Sequence, residues 1–379
     1  MKLLINREEE KYIKNFSQSK KKIKVKSIEI KIMFFIIFIF FIIVLNMMKQ
    51  FKNIFIKLNY HEYLLKKSEE KSKNKIIETR QKIFDEKIKN KYKENQLHFC
   101  NSNDLFFDLE VENKIKKVNA RLNDISFNIY VYKDNDIISK HITNYGSYEA
   151  ISTTKIIKCL DYYSKTKKLS KNDITILDIG ANIGWYSFYL SKAGYELISF
   201  EVSHINDYIL KKNFCLNREA KVTIINKGIG LEEEQCLLHH PPQNEGNAII
   251  LCGDNNKISN TKESLIETVE FTKLSNYIPY LKQKNLAFIK IDIEGSEGKA
   301  IYSGIELITK YHIPFLFLEF NIDYLKMQGT DPKTLLEMFI NNGYLISIED
   351  FFCKSYSSIE SLLRRTVSKL YIVYSKFVD

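Results

Sequence analysis

Apolar and polar positions along the C-terminal two thirds of the chain follow two kinds of segment. From about residue 124 onward, apolar runs of five to eight residues alternate with longer amphipathic stretches. Continuous apolar runs are typical of strands buried on both faces, and the amphipathic stretches are typical of helices that cover them. We predict strands at 174–179, 197–201, 222–226, 286–293, 314–320, 344–348 and 370–374, and helices at 183–193, 205–216, 297–309 and 332–341. The pattern indicates an α/β domain with a doubly wound parallel sheet, which binds ligands at the carboxyl ends of its strands.

A long apolar segment precedes this domain. Residues 32–45 are fourteen consecutive apolar residues, and Asn46-Met47-Met48 extends the segment to seventeen. At about 1.5 Å per residue it forms roughly 25 Å of helix, at the short end of what spans a bilayer. We predict a single transmembrane helix at 32–48 after a basic tail at 1–31. The alternatives are a cleaved signal peptide, weakened by the lack of a small-residue cleavage site, and a buried core helix, weakened by the lysines on both flanks.

Lysines flank this predicted span unequally. Six lie in the fifteen residues before it and three in the fifteen after it. An excess of positive charge marks the cytoplasmic side, so we predict a cytoplasmic N-terminus and a lumenal or extracytoplasmic domain in a single-pass membrane protein. No Asn-x-Ser/Thr sequon follows the span, which weighs against a eukaryotic secretory lumen.

Positive charge is concentrated in the N-terminal part of the chain. Residues 1–100 hold 24 of the 57 Lys+Arg and 11 of the 46 Asp+Glu, so residues 101–379 are close to neutral. A polyanion-binding surface over the whole protein is therefore disfavoured, and we expect no nucleic-acid partner. Residues 49–100 are rich in Lys, Glu and Asn, and their pattern fits a solvated helical stalk or a disordered spacer equally well. The predicted domain occupies 101–379, with its core from about 125.

Six cysteines are scattered without a C-x-x-C pair or a partnering histidine cluster, which disfavours structural zinc. Their low density in so long a chain favours free buried thiols over a disulfide framework. They are Cys100, Cys159, Cys215, Cys236, Cys252 and Cys353.

Chemistry is first indicated at the end of the first predicted strand, which reads Asp178-Ile179-Gly180-Ala181-Asn182-Ile183-Gly184. The glycines allow close approach of a ligand, and a helix begins directly afterwards with free N–H groups. The spacing is G-x-x-x-G and not the G-x-G-x-x-G of dinucleotide sites. Glu201 ends the second strand at a distance suited to a ribose diol. Asp178 and Glu201 together suit a ligand with a positive centre and a ribose, which describes S-adenosylmethionine.

Several segments in this order resemble the FkbM family of S-adenosylmethionine-dependent methyltransferases over roughly residues 125–379. They are Tyr145-Gly146-Ser147-Tyr148-Glu149, residues 176–187, Phe200-Glu201, Asn226-Lys227-Gly228-Ile229-Gly230, Thr272-Lys273-Leu274 and Ile289-Lys290-Ile291-Asp292-Ile293-Glu294-Gly295-Ser296-Glu297. The resemblance implies a Rossmann-like class I methyltransferase fold, with a seven-stranded, mostly parallel sheet, helices on both faces and a final antiparallel strand. It also implies O-methylation of sugars or other hydroxyl-bearing metabolites. The cofactor-binding residues that it implies are Asp178, Gly180, Ala181, Asn182, Gly184, Glu201, Glu149 and Ile229.

The chain departs from the family pattern at three places. Val202 stands where members usually carry Pro, and Ser275 stands where they carry Asp. Residues 231–270 are longer and more polar than the family core requires, so acceptor specificity does not transfer with the resemblance.

Candidate catalytic residues lie at the fourth predicted strand. Because side chains alternate on a strand, Lys290, Asp292 and Glu294 are expected on one face, with both acids at the carboxyl end. Paired carboxylates raise each other's pKa, which would let one take a proton from an acceptor hydroxyl. Alternatively, Asp292 and Glu294 bind a divalent cation together with Glu319, or the acids and Lys290 form a buried ion-pair network.

These observations favour a membrane-anchored O-methyltransferase that acts on a hydroxyl of a saccharide, glycan or glycolipid. One alternative is a nucleic-acid methyltransferase, disfavoured by the neutral domain and by the lack of Asn-Pro-Pro-Tyr and Pro-Cys motifs. The other is a tethered scaffold that keeps the fold without turnover. The oligomeric state is left open.

Overall fold

In a computed structural model of the chain, the structure describes residues 92–101, 109–133, 136–240, 248–252 and 265–378, together with Met33, Ile36, Ile39, Phe40 and Lys67. The chain divides into two units, Met1–Arg80 and Gln81–Asp379. The four apolar residues of the first unit are helical and exposed. The rest of the predicted transmembrane segment 32–48, the tail 1–31 and nearly all of 49–91 lie outside the described residues. Among the described residues, no helix combines the length and the apolar character needed to cross a bilayer.

The strands of the second unit, within its described part, are β1 (Ile115–Leu122), β2 (Ile125–Tyr132), β3 (Ile174–Ile179), β4 (Glu196–Phe200), β5 (Val222–Ile225), β6 (Gly228–Ile229), β7 (Gln235–His240), β8 (Ile249–Leu251), β9 (Leu265–Thr272), β10 (Asn285–Ile291), β11 (Phe315–Asn321), β12 (Tyr344–Ser347) and β13 (Val367–Tyr374). The α-helices are α1 (Leu109–Lys114), α2 (Ile137–Tyr145), α3 (Ala150–Lys167), α4 (Trp185–Lys192), α5 (His204–Leu216), α6 (Ile278–Leu281), α7 (Glu297–Ser303), α8 (Glu306–Thr309), α9 (Ile322–Met327), α10 (Pro332–Asn341) and α11 (Ile359–Leu363). Short 3₁₀ helices lie at Lys171–Asp173, Leu274–Tyr277 and Ser375–Phe377.

Seven strands form the central sheet in the order β12-β13-β11-β10-β3-β4-β5. All seven predicted strands belong to it, which confirms the α/β class. The expectation of a mostly parallel sheet needs correction to a mixed one. The five strands from β11 to β5 are parallel neighbours, but β13 runs antiparallel to both β11 and β12. Across all the described sheets, parallel and antiparallel pairings are equal in number, five of each.

Hydrophobic cores cover both faces of the central sheet. Alternate residues of β3 point to opposite sides, because side chains on a strand have a period of two. Ile174 and Ile176 join one core with residues of α3, α4 and α5, while Leu177 and Ile179 join the other with residues of α7, α8 and α10. The predicted helix 297–309 is divided into α7 and α8. The result is a three-layer domain whose strand ends are available to a ligand on one edge.

Two smaller sheets were not predicted from the sequence. Strands β1 and β2 form an antiparallel ribbon that packs on α4 and α5. Within the polar insertion 231–270 and just outside it, β6, β9, β7 and β8 form a four-stranded sheet in that order. This sheet, called here the insertion sheet, has its own small core of Cys236, Leu238, Ile250, Val269 and Phe271.

Residues 92–101, assigned from sequence mainly to the stalk, are helical and attach to the edge of the central sheet. The buried Gln96 side chain donates to the carbonyl of Val222 (3.0 Å) and accepts from the N–H of Ile224 (3.1 Å), so it satisfies backbone groups of the edge strand β5. Cys100 forms a disulfide with Cys215 on α5. This helix is therefore part of the folded domain.

The expectation of free thiols is wrong for four of the six cysteines. Besides Cys100–Cys215, a second disulfide joins Cys236 and Cys252 in the insertion sheet. Cys159 and Cys353 are free. Spacing along the chain misled the prediction, because the partners are 115 and 16 residues apart and only the packed fold brings them together.

Candidate active site

A cavity of about 310 Å³ opens at the carboxyl ends of β3, β4, β10 and β11. Its walls come from the glycine turn after β3, the ends of the neighbouring strands, α2, α9 and the insertion sheet. Its polar lining residues include Asn182, Glu201, Ser203, Lys290, Asp292, Glu294, Glu319, Asn321 and Lys369. The position matches the expectation that an α/β sheet binds ligands at the carboxyl ends of its strands.

The glycine turn forms one end of this cavity. Gly180 has φ +81°, and a Cβ built there would lie 2.0 Å from the carbonyl oxygen of Asp292. The turn thus passes so close to the end of β10 that it has no room for a side chain. Gly180, Ala181 and Asn182 line the cavity, whereas Gly184 does not and begins α4 with φ +95° against Leu210 and Phe188.

Glu201 is held rigidly beside this turn. One carboxylate oxygen accepts from the N–H of Asn182 (2.7 Å) and the other from the N–H of Ser203 (2.9 Å). Burial raises the pKa of Glu201 to about 7, although these two backbone donors favour the ionised form. Each oxygen keeps a further lone pair, so Glu201 is oriented to accept from hydroxyl groups in the cavity.

Asp178 lies beneath the turn and is not among the residues that line the cavity. Its carboxylate accepts from the hydroxyl of Ser187 (2.6 Å) and lies 3.5 Å from Nζ of Lys290. Lys290 also donates to the carbonyl oxygen of Gly180 (2.6 Å). Burial alone would lower the pKa of Lys290, but Asp178 and Asp292 raise it, so Lys290 is a cation and not a base. The buried pair supports the turn from below. The ion-pair network considered from the sequence joined Lys290 to Asp292 and Glu294, and did not include Asp178.

Three carboxylates, called here the acidic cluster, stand at the other end of the cavity: Asp292, Glu294 and Glu319. Atoms of all three lie within 4.8 Å of one another. Strand β10 ends at Ile291, so Asp292 and Glu294 follow the strand and Glu294 has φ +53° in a turn. Both acids nevertheless line the same cavity as Lys290. Glu297 stabilises this turn by accepting from the N–H groups of Ile293 and Gly295.

Lys369 from β13 contacts this cluster and was missed by the sequence reasoning. Its Nζ lies 3.1 Å from Oδ2 of Asp292, 3.4 Å from Oε1 of Glu319 and 3.3 Å from Oε1 of Glu149. The sequence shows a lysine directly before the last predicted strand, but that strand was predicted to start at residue 370, so Lys369 was not placed on it. Lys369 becomes significant only because β13 inserts beside β11, opposite Glu319.

The pKa values of Asp292 and Glu319 are shifted in opposite directions. Burial on its own would raise the pKa of Asp292, but Lys290 and Lys369 lower it well below its ordinary value. Burial and the Asp292 anion raise the pKa of Glu319 well above its ordinary value. At neutral pH the site therefore combines an ionised Asp292 with a protonated Glu319. The expectation from sequence that Asp292 and Glu294 raise each other's pKa does not hold for Asp292, whose pKa is lowered. The acid with the raised pKa is Glu319, from the next strand.

The acidic cluster was also the predicted metal site. Three carboxylates in reach of one another suit a hard divalent cation. The ammonium of Lys369, however, contacts two of the three, and it supplies positive charge where a cation would stand. With the side chains arranged in this way, the donor set does not fit a metal. A second group, Glu234 with Cys236 and Cys252, has both sulfurs in a disulfide.

The remaining predicted residues border the site. Glu149 has φ +42° at the start of α3, outside the cavity lining, and accepts from the hydroxyl of Tyr186 (2.5 Å) as well as pairing with Lys369. Ile229 is buried and lines the cavity after β5. Tyr186 and Tyr148 line it too.

The insertion sheet supplies an apolar wall that sequence reasoning did not assign to the site. Leu238, Ala248, Ile250 and Phe271 line the cavity. The sheet is fastened to the start of α5 through Glu267. That carboxylate accepts from the hydroxyl of Ser203 (2.9 Å) and the N–H of His204 (2.6 Å), and it pairs with the buried His240 (2.6 Å).

Together, the fold and site are those of a Rossmann-like α/β domain with a ligand cavity at the carboxyl ends of its strands. The glycine turn and Glu201 stand at the ends of adjacent strands, and the acidic cluster shares their cavity. Residues 178–346 match the model of the methyltransferase FkbM domain, which confirms the resemblance stated from the sequence. The family implies S-adenosylmethionine as the methyl donor.

Similarity to individual proteins is weak. None of the curated proteins compared with the chain matches it significantly. Among solved structures, the bifunctional kinase-methyltransferase WbdD is 11% identical with a TM-score of 0.38, over 64% of this chain and 43% of that one. Precorrin-6y C5,15-methyltransferase from Geobacter metallireducens is 11% identical with a TM-score of 0.30 (59% and 86% covered). A TehB-like SAM-dependent methyltransferase from Corynebacterium glutamicum is 13% identical with a TM-score of 0.26 (57% and 87% covered).

The chain therefore spans less than half the length of WbdD. These TM-scores are too low to support an inference about the activity of this chain.

Proposed function

We propose that this protein is a membrane-anchored O-methyltransferase that transfers a methyl group from S-adenosylmethionine to a hydroxyl of a saccharide, glycan or glycolipid. The observation that carries the proposal is the single cavity, which has an oriented carboxylate, Glu201, beside the glycine turn and an ionised carboxylate, Asp292, at the opposite end. Such a cavity suits a donor and an acceptor bound side by side.

The glycine-turn end fits the donor. Glu201 is oriented by two backbone N–H groups and presents lone pairs suited to ribose hydroxyls. Ile229 and the apolar wall of the insertion sheet offer a surface for an aromatic base. Asp178 would act indirectly, since its contacts are with Ser187 and Lys290 under the turn. When bound, S-adenosylmethionine supplies an activated methyl group on a sulfonium.

The other end fits a hydroxyl acceptor. Asp292 is ionised and can accept a hydrogen bond from the hydroxyl, which aligns the oxygen for attack on the methyl carbon. Methyl transfer would join the hydroxyl oxygen to the methyl carbon with loss of S-adenosylhomocysteine. Because the oxygen becomes strongly acidic as it is methylated, Asp292 would receive the hydroxyl proton even though Lys290 and Lys369 hold its pKa below the ordinary value. The protonated Glu319 donates to Asp292 and so helps to orient that carboxylate.

Two further observations support the membrane setting and the side on which the domain lies. The apolar segment 32–48 and the lysine bias before it favour an anchor with a cytoplasmic N-terminus. The disulfides Cys100–Cys215 and Cys236–Cys252 fit an oxidising, extracytoplasmic compartment. Protease protection tests this placement in sealed vesicles whose cytoplasmic face points outward. Digestion of the domain only after the vesicles are opened supports the placement, and digestion in intact vesicles contradicts it.

The activity is tested with the full chain in detergent, labelled donor and a panel of saccharides, glycolipids and RNA. We expect label on a saccharide-bearing acceptor, and label on RNA alone would contradict the proposal. Asp292→Asn should leave donor binding by calorimetry unchanged and slow transfer by about 10²-fold, within the usual range for a lost proton acceptor. Asp323→Asn, an exposed acid on α9, is the matched control and should change neither. Tight donor binding without transfer to any acceptor would instead indicate a scaffold.

A further inference from the structure

The ammonium of Lys369 is surrounded by acidic side chains of the protein. A lysine side chain has three N–H donors. The Nζ atom of Lys369 lies within 3.4 Å of three carboxylates, those of Glu149, Asp292 and Glu319. Two of these contacts, those to Asp292 and Glu319, are hydrogen bonds, and Glu149 faces the ammonium as an ion pair. The ammonium is therefore engaged chiefly with the acids of the cluster, and its effect on methyl transfer is expected to pass through Asp292.

Three separate elements place these carboxylates around the ammonium. Glu319 lies directly opposite Lys369 in the antiparallel pairing of β11 and β13. Asp292 follows β10, the other neighbour of β11, and Glu149 precedes α3. Because backbone pairing fixes the relation of Lys369 to Glu319, the ammonium has a defined place within the acidic cluster. It is not a surface lysine that happens to lie close to an acid, since only about a quarter of its side chain is exposed (26%).

A divalent cation and this ammonium would compete for the same oxygens. The carboxylates of the acidic cluster bring their oxygens within 4.8 Å of one another, as a hard cation requires. Lys369 already contacts two members of that set, and a metal ion among them would stand against a like charge. Both kinds of cation would perform the same task of holding Asp292 as an oriented anion.

We infer that the ammonium of Lys369 takes the place of a divalent cation in the acidic cluster and is a positioning residue for Asp292, so that the site works without a metal. The catalytic part of this inference rests on the proposed function. The cation-replacement part does not, because it concerns the occupancy of the cluster in the free protein.

Metal binding tests the replacement directly. Mn²⁺ is titrated into the full chain in detergent and followed by electron paramagnetic resonance and calorimetry. The unmodified chain should show no site that depends on Asp292, whereas Lys369→Met should acquire one Mn²⁺ site that is lost again in the Lys369→Met/Asp292→Asn double variant. Lys354→Met, an exposed lysine ahead of α11, is the control and should bind like the unmodified chain. An Asp292-dependent Mn²⁺ site in the unmodified chain, or none in folded Lys369→Met, overturns the inference.

Transfer kinetics test the positioning role. Lys369→Met should lower kcat by about 10- to 100-fold, at the level of a misplaced proton acceptor, with the donor Kd changed less than about twofold. Lys369→Arg should restore part of kcat, because it keeps the positive charge, whereas Lys369→Gln should not. Equal loss in Lys369→Arg and Lys369→Gln, or a donor Kd that rises in parallel with the loss of kcat, contradicts a positioning role.

One further experiment uses the unmodified chain and needs no variant. Transfer should be unchanged by EDTA, and abolition of transfer by EDTA overturns the inference even if Lys369→Met does not fold. If the unmodified chain transfers no methyl group to any acceptor, the proposed function fails while the Mn²⁺ titration still decides whether Lys369 replaces a cation.

Discussion

Gly180→Ala is the sharpest test of the glycine turn. The ideal Cβ at position 180 would lie 2.0 Å from the carbonyl oxygen of Asp292, while ordinary contact begins near 3.4 Å, so the turn and the end of β10 must separate by about 1.4 Å. Gly180 also has φ +81°, a conformation that L-residues adopt at a cost of about 1–2 kcal/mol. Overpacking adds about 1–3 kcal/mol. We expect the free energy of unfolding to fall by about 2–5 kcal/mol in total.

Gly329→Ala separates the two contributions. Gly329 has nearly the same backbone angle, φ +80°, but a Cβ there would meet nothing within 4 Å. It should therefore lose only the conformational part, about 1–2 kcal/mol. Urea denaturation of the full chain is followed by the fluorescence of Trp185, the single tryptophan, which is buried directly after the turn. Unfolding midpoints with an unchanged slope then report stability.

Donor binding provides the second measurement on the same pair. Displacing the turn by more than an ångström disrupts the hydrogen bond between Asn182 and Glu201. We expect calorimetry to show at least about tenfold weaker S-adenosylmethionine binding for Gly180→Ala, equivalent to about 1.4 kcal/mol, and no change for Gly329→Ala. Equal destabilisation of the two variants would refute the steric reasoning, and unchanged donor affinity in Gly180→Ala would remove the turn from the donor site.

Three further predictions concern buried charge and the disulfides. The pKa of Glu201 rises from 4.5 to about 7 on folding, so the folded state binds its proton more tightly and the free energy of unfolding should fall as pH rises through this interval. Glu201→Gln should flatten that dependence in urea denaturation, and an unaltered profile would show that Glu201 does not titrate there. Peptide mapping without reductant should find Cys100–Cys215 and Cys236–Cys252. Cys100→Ser should cost up to about 4 kcal/mol and Cys353→Ser almost nothing; equal effects would contradict the pairing. Asp178→Asn should destabilise the domain by about 3 kcal/mol, because Lys290 loses a buried partner, while Asp323→Asn should not. A purely local loss of donor affinity in Asp178→Asn, with stability unchanged, would instead indicate direct contact with the donor.

The order of the strands along the chain was readable because each strand carries its own signal. A run such as Ile174–Ile179 places apolar side chains on both faces of the strand, which only a strand covered on both faces requires. The glycine turn was readable for a similar reason, since Gly180 and Gly184 mark backbone conformations that follow from local sterics. Glu201 was found by its distance along the chain from that turn.

Residues whose roles depend on remote neighbours were missed or misread. Asp178 was expected at the donor, but the turn covers it and Lys290 neutralises it from below. Four cysteines were expected to be free, yet a helix before the domain core and a hairpin of the insertion sheet bring them into two pairs. The short strands β6 to β8 carry too few residues for a periodic signal, so the apolar wall that they contribute to the cavity was not foreseen.

The sequence by itself determined the α/β class, the seven strands of the central sheet, the glycine turn with Glu201 beside it, and the acids that follow the fourth predicted strand, because each depends on residues close together in the chain. Tertiary structure decided what these acids face. Strand β13 inserts antiparallel beside β11 and places Lys369 opposite Glu319, within reach of Asp292. No local pattern records that pairing, since its partners are 50 and 77 residues apart and meet only when the sheet has formed. The charge balance of the site, and with it the state of Asp292, is a property of the folded sheet.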